Sequence, residues 1–368
     1  MNENKKYWCA FSRLTQSGSN FVHTLVKNFG TIESAWNANE RDVTHISGLS
    51  KNSVEGFLTE RKTINPDECL DFLCKKGIKY ICFEDKEYPY LLRHIDCPPA
   101  GLFITGDLSS CNTERGIAVV GSRKASENAK ISLRKILSSF YNTDICIISG
   151  MAEGIDSVAH RTALDNNIKT IAVLGGGFDK IYPKSNIKMF EEIKNGGGAI
   201  ITEYWYDVDA ISWHFPARNR IVSGLSKGVL VAEAAIKSGA MITARLALEQ
   251  GKELMCMPGL ISNPNTEGIY KLIKDGASIV TDYQDILDAM RWQINPQGKP
   301  ANKDETHSLN INETEQSVLD CLQKDSLSLD ELIIKTNLNI ADLMVILTKL
   351  ELDGIIAKAN GEKYISLI

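Results

Sequence analysis

A glycine followed at once by basic residues is the first chemical feature of this chain. At 117–126 the run IAVVGSRKAS passes from an apolar stretch through Gly121 and Ser122 into Arg123 and Lys124. A strand that ends in glycine and feeds a helix is a phosphate-site geometry, because the first helix amides have no intrahelical acceptor and the helix dipole adds positive potential there. Arg123 makes an anion the expected ligand, Gly121 clears the approach, and Ser122 can cap the helix or donate to the same anion. Further on, Tyr182, Pro183 and Lys184 form an elbow whose lysine can meet a phosphate. FPARNR sets Phe215 beside Arg218, Asn219 and Arg220, with Trp213 just before. Rings interleaved with guanidinium groups suit single-stranded nucleic acid, whose bases stack while cations hold the backbone. The same stretch equally suits a helix start with a buried Phe215 and surface arginines.

Other chemistries fit less well. In SGMAEGIDSVAH, Ser149 and Gly150 follow a strand, Gly150 and Gly154 allow close backbone approach, and Asp156 stands one turn before His160. With no third partner and no nucleophile in matching position, that pair reads as a structural hydrogen bond. Gly175, Gly176 and Gly177 let a ligand pass close over another strand end, and Thr243 lies on a further turn, KSGAMITARLA. A dinucleotide site is opposed by the lack of GxGxxG spacing and by Ser149 and Gly150 at the place of the ribose-reading acid. Nine cysteines occur singly, with no CxxC pair, which suits reduced core thiols; neither metal nor cofactor is expected.

These turns need a scaffold, and the chain supplies one. Its 368 residues, 43% hydrophobic and 24% charged, describe a soluble protein of two or three domains. No apolar run of 18 or more occurs and the N-terminus lacks a signal-peptide core, so no membrane partner and a cytoplasmic location are expected. Residues 1–65 read as short helices, including an ISGLS turn that resembles a helix-hairpin-helix loop and otherwise belongs to a plain packing module. From 66 to 292, an edge strand is followed by IAVVG, CIISG, TIAVLGGG, AIITE, GVLVAE and ELMCMPG alternating with helical stretches. Continuous apolar runs of this kind are strands buried on both faces, so the fold class is α/β with a doubly wound parallel sheet and a site beyond its carboxyl edge. Residues 293–308 have linker composition, and 309–368 read as three helices and a two-stranded wing, a winged-helix domain. Charge divides the same way: 121–135 holds five Lys/Arg against Glu127 alone, whereas 304–353 holds eleven Asp/Glu against three lysines.

Taken together and in order, VVGSR, SGMAEGIDSVAH, AVLGGGFDKIYP, FPARNRIVSGLS, EAAIKSGAMITARLALEQGKELMCMPG and NTEGIYKLIKDGA resemble the DNA processing protein A (DprA/Smf) family over roughly 85–290. The resemblance implies an extended Rossmann-like core, flanked by a sterile-alpha-motif (SAM) or helix-hairpin-helix-like module and a winged helix. It implies a non-enzymatic protein that binds single-stranded DNA and brings a RecA-type recombinase onto it in natural transformation. DNA contacts carry over to Gly121, Ser122, Arg123, Lys184, Phe215, Arg218, Asn219 and Arg220. Ser149, Gly150, Gly154, Asp156, Gly175, Gly176, Gly177 and Thr243 are expected to shape the pocket. A homodimer is implied, and Ile269, Leu272 and Ile273 are the surface expected to carry it. Two alternatives use the same core. A nucleotide-cleaving phosphoribohydrolase would need an acid where this chain has Leu246, although Glu249 lies one turn on; a nucleotide-sensing adaptor would use the pocket for a small phosphate ligand.

Overall fold

Four of the first six helices start on a side-chain cap. In the computed structural model, which describes residues 4–15, 18–293, 313–323, 325–352, 355–359 and 363–366, the six are α1 (Lys5–Phe11), α2 (Ser19–Phe29), α3 (Ile32–Asn37), α4 (Glu40–Thr44), α5 (Lys51–Glu60) and α6 (Pro66–Lys75). Thr31, Asn39, Ser50 and Asn65 each accept a first-turn amide at the starts of α3 to α6, worth about 1 kcal/mol apiece. The helices close over Trp8, Phe11, Trp36 and Phe57, with Phe11 stacked on Phe57 at 5.3 Å and edge-on to Trp36 at 5.0 Å. This core does not stop at residue 65: Cys69 and Leu73 of α6, Tyr80, Phe103 and Trp205 belong to the same buried cluster.

The sheet follows. Its strands are β1 (Lys79–Cys82), β2 (Gly101–Gly106), β3 (Gly116–Val120), β4 (Cys146–Ser149), β5 (Lys169–Val173), β6 (Gly198–Thr202), β7 (Gly228–Val231), β8 (Glu253–Cys256) and β9 (Ser278–Ile279). Their order is β1-β2-β6-β5-β4-β3-β7-β8-β9. Strands β3 to β9 run parallel, while β2 pairs antiparallel with β6 and β1 antiparallel with β2. Where one edge strand was expected, a two-strand antiparallel extension is present. The helices are α7 (Tyr90–Arg93), α8 (Glu127–Ser138), α9 (Ile155–Asp165), α10 (Ile187–Glu192), α11 (His214–Gly224), α12 (Gly239–Glu249), α13 (Glu267–Lys274) and α14 (Tyr283–Met290).

Every residue of β3, β4, β6 and β7 is buried, which explains their unbroken apolar sequences. The chain winds outward from β3 through β4, β5 and β6, then crosses back to place β7 on the other side of β3. β3 is therefore the switch point, and a crevice must open beyond its carboxyl end.

One expectation is corrected by this core. Ile269 and Leu272 of α13 are buried in the main sheet cluster together with Ala240, Ala244 and Cys256, and Ile273 packs against it half-buried. Ile269 and Leu272 serve the chain's own core and are not free to carry a second copy, whereas Ile273 keeps part of its side chain exposed.

The C-terminal domain is a separate compact unit: α15 (Glu313–Leu322), β10 (Leu327–Ser328), α16 (Leu329–Thr336), α17 (Ile340–Leu352), β11 (Ile356–Ala359) and β12 (Lys363–Ser366). Its strands pair antiparallel in the order β10-β12-β11 over a core of Val318, Leu332, Leu343, Leu347 and Tyr364. Lys349, the single base of α17, is bound to Glu315 at 2.7 Å. The linker read at 293–308, past Gln293, and the wing tip at 360–362 lie outside the described residues. Among the described residues, no helix is long and apolar enough to cross a membrane.

Candidate nucleic-acid interface

The turn after β3 is built by two backbone bonds and one to a side chain. Ser122 donates its amide to the Glu233 carbonyl at 2.7 Å, the Ile155 amide donates to the Ser122 carbonyl at 3.2 Å, and the Ser122 hydroxyl accepts the Lys124 amide at 3.1 Å. Gly121 has Ile155 against it, and Gly154, at φ +79°, lies so close to the Ser122 carbonyl that a side chain there would overlap it. The two glycines thus lock the β3 and β4 turns together. Arg123 is left exposed on top.

Beyond the strand ends lies a cleft of about 660 Å³. Gly121, Ser122 and Arg123 line one side; Phe215, Arg218 and Asn219 of α11 line another; Gly239, Ala240 and Thr243 of α12 and Asn265 close it. Arg123 lays its guanidinium over the Phe215 ring at 5.3 Å, and Tyr182, 53% exposed, tilts against the same ring at 5.6 Å. Among the described residues Arg123 has no ion pair: it bridges neither Asp156 nor Glu153, the latter accepting from Ser185 Oγ at 3.0 Å. A cation on a ring at the mouth of a cleft is arranged for a phosphate on one side and a base on the other.

The arginines of α11 are placed otherwise. Arg218, 4% exposed, donates from Nη1 to the carbonyls of Gly150, at 2.8 Å, and Val173. The space over Gly150 is filled by this guanidinium and by the Asp156 carboxylate. Burial lowers the pKa of Arg218 to about 10, against the pull of Asp156. Burial likewise raises that of Asp156, although Arg218 and the Gly150 and Ala152 amides, at 3.1 and 3.4 Å, hold its charge. This pair is the floor of the cleft. Arg220, two residues on, points away from Arg218, as positions i and i+2 of a helix must. It makes a two-pronged bridge to Glu203 at 2.6 and 3.0 Å and does not line the cleft. Burial opposes its charge, but Glu203 outweighs that and raises its pKa.

The remaining expected residues divide between lining and support. Asn219 and Thr243 line the cleft. Ser149 is buried and donates to the Val119 carbonyl at 2.7 Å. Gly175 backs the Phe215 ring, while Gly176 and Gly177 make room for the chain's own 205–210 segment rather than for a ligand; Gly177 donates to the Val208 carbonyl at 2.7 Å. Lys184 is exposed one residue beyond Pro183, which lines a small recess shared with Arg123, Tyr182 and Phe215. His160 bonds Thr170 Oγ1 at 2.8 Å and not Asp156; since that hydroxyl donates to the Ile147 carbonyl, the ring proton sits on Nδ1 and Nε2 is buried without a partner. Burial, and then Arg218, lower its pKa to about 3. Sequence reasoning missed Tyr182, Ser238 and Asn265 as lining residues. The serine-glycine start of α12 was the available signal for Ser238.

Comparison with known proteins follows the same outline. The family of the DNA recombination-mediator protein A matches residues 79–291, and the DprA winged helix domain matches 299–362. Protein Smf of Synechocystis is 30% identical over 99% of each chain. The DNA processing protein DprA of Streptococcus pneumoniae is 41% identical over 67% of this chain and 85% of its own. The X-ray structure of the pneumococcal DprA superposes with a TM-score of 0.66 at 33% identity, covering 80% of this chain and 99% of that one. A structure of the Helicobacter pylori protein, described for its single-stranded DNA binding mode, gives 0.53 at 29% identity, covering 58% of this chain and 95% of that one.

Proposed function

The chain belongs to the DNA recombination-mediator protein A family, and from that premise we propose that it binds single-stranded DNA in the cleft beyond β3, without catalysis, and brings a RecA-type recombinase onto the bound strand. The observation that carries the reading is the lip of the cleft: Arg123 over Phe215 at 5.3 Å, with the exposed Tyr182 ring beside them. A phosphate on Arg123 leaves its base within reach of two rings, each such stack being worth about 1–3 kcal/mol. Among the described residues Asp156 is the single carboxylate lining the main cleft, and the Arg218 guanidinium beside it offsets its charge toward a polyanion.

The residues of α12 speak against nucleotide hydrolysis. Leu246 stands where a cleaving enzyme of this core would carry its acid, and Glu249 is exposed and paired with Arg245 at 3.5 Å. A homodimer is part of the proposal, with a surface other than buried Ile269 and Leu272. Natural transformation is the setting that the family resemblance supplies.

The test is a titration of labelled oligonucleotide beside free mononucleotide, with base release assayed in parallel. Tight oligonucleotide binding with no base release supports the reading; a released base makes the protein a hydrolase, and preference for the mononucleotide makes it a sensor. Recombinase filament growth on single strands already coated by a single-strand-binding protein tests loading separately: growth no faster with this protein present removes that role.

A further inference from the structure

The cleft does not end at α12. On the far side of Ser238 and Gly239, which line both spaces, a second open depression of about 380 Å³ is formed by Ile236, Lys237, Met241, Ile242 and Arg245. No carboxylate lines it. Lys237 has no ion pair among the described residues, and Arg245, its side chain 71% exposed, holds only a loose surface pair with Glu249 at 3.5 Å. Ile236 is 49% exposed and adds apolar surface to the same lining.

The saddle joining the two spaces carries unused donors. Ser238 begins α12 but makes no capping bond, and its buried hydroxyl has no partner, whereas a serine in this place normally accepts a first-turn amide. Open space lies over Gly239, so nothing blocks a chain crossing there.

We propose that a single strand anchored at Arg123 crosses Ser238 and Gly239 and enters this depression, where Lys237 and Arg245 hold the next phosphate and Ile236 supports its base. The occupant follows from charge, since a depression lined by two cations and no acid favours a polyanion, and from continuity with the cleft. The inference rests on the reading of that cleft as a single-stranded DNA site.

The test compares oligothymidines of about three and about six nucleotides on the full chain. The wild type should hold the longer one more tightly, with a salt slope steeper by about 0.7 for each added phosphate contact. Lys237→Ala with Arg245→Ala should erase that gain and leave the short oligonucleotide bound within about twofold, as expected for contacts confined to the second depression. If the wild type binds neither length, the reading of the cleft fails. If it binds both alike, or if the double variant keeps the gain, the second depression alone is refuted. Light scattering closes the remaining route: a double variant that changes particle mass makes this face a contact between copies and overturns the proposal.

Discussion

Arg123 at the lip of the cleft and Arg218 in its floor are two arginines that share one motif set and do opposite work. Arg123 is exposed, rests on Phe215, and has no carboxylate partner among the described residues. Arg218 is buried, bonded to the Gly150 and Val173 carbonyls and set against Asp156. The first can meet a ligand at little cost to the fold. The second is committed to holding the ends of β4 and β5 together, so its charge is a structural element before it is a binding one. A motif arginine is thus a ligand contact only where the fold leaves its donors unspent.

The difference is testable from the floor upward. Arg218→Ala should produce the largest change, about 3–5 kcal/mol of lost stability, because it strands the Asp156 carboxylate in a buried site; thermal unfolding should show a fall on the order of 10 °C. Binding lost with no loss of melting temperature would make Arg218 a contact like Arg123. Next comes acid. His160, held neutral with its pKa lowered to about 3, remains unprotonated in the fold while the unfolded chain takes up a proton below about pH 6.5. Stability is therefore full above pH 6.5 and falls toward pH 3, by about 1.4 kcal/mol per unit from this group. Urea midpoints between pH 6 and pH 4 should flatten in His160→Gln relative to wild type; parallel slopes would remove His160 as the cause. At the lip, Phe215→Ala should cost about 1–3 kcal/mol of oligonucleotide binding and leave the salt slope unchanged. A reduced slope would show that the ring acts only by positioning Arg123.

The sequence made the scaffold more legible than the division of labour on it. Strands β3 to β8 were visible as apolar runs because each is covered on both faces, and the glycines after them marked the crevice. The β1–β2 pair was half-seen, since short antiparallel edge strands carry little pattern, and two-residue β9 carries none. What decides Arg218 and Arg220 is the arrival of Asp156 and Glu203 from elsewhere in the chain, which local spacing does not encode. Gly176 and Gly177 read correctly as sites of close approach, but the segment that approaches is the chain's own 205–210 stretch. Ile269 and Leu272 could not be assigned to the core from spacing alone, because an apolar stripe on a short helix reads the same whether it covers α12 and β8 of its own chain, as here, or a second copy.

Strand binding in the cleft stands or falls on Arg123, and the direct measurement is oligonucleotide affinity against salt for wild type and Arg123→Ala, with a melting curve of each. Loss of one phosphate contact should weaken binding to all sequences alike and reduce the slope of log K against log salt by about 0.7. The melting temperature should move by no more than about 2 °C, since the side chain is exposed and gives up only its contact with Phe215. A large fall in melting temperature with affinity and slope preserved in the folded fraction would make Arg123 a brace and contradict the account.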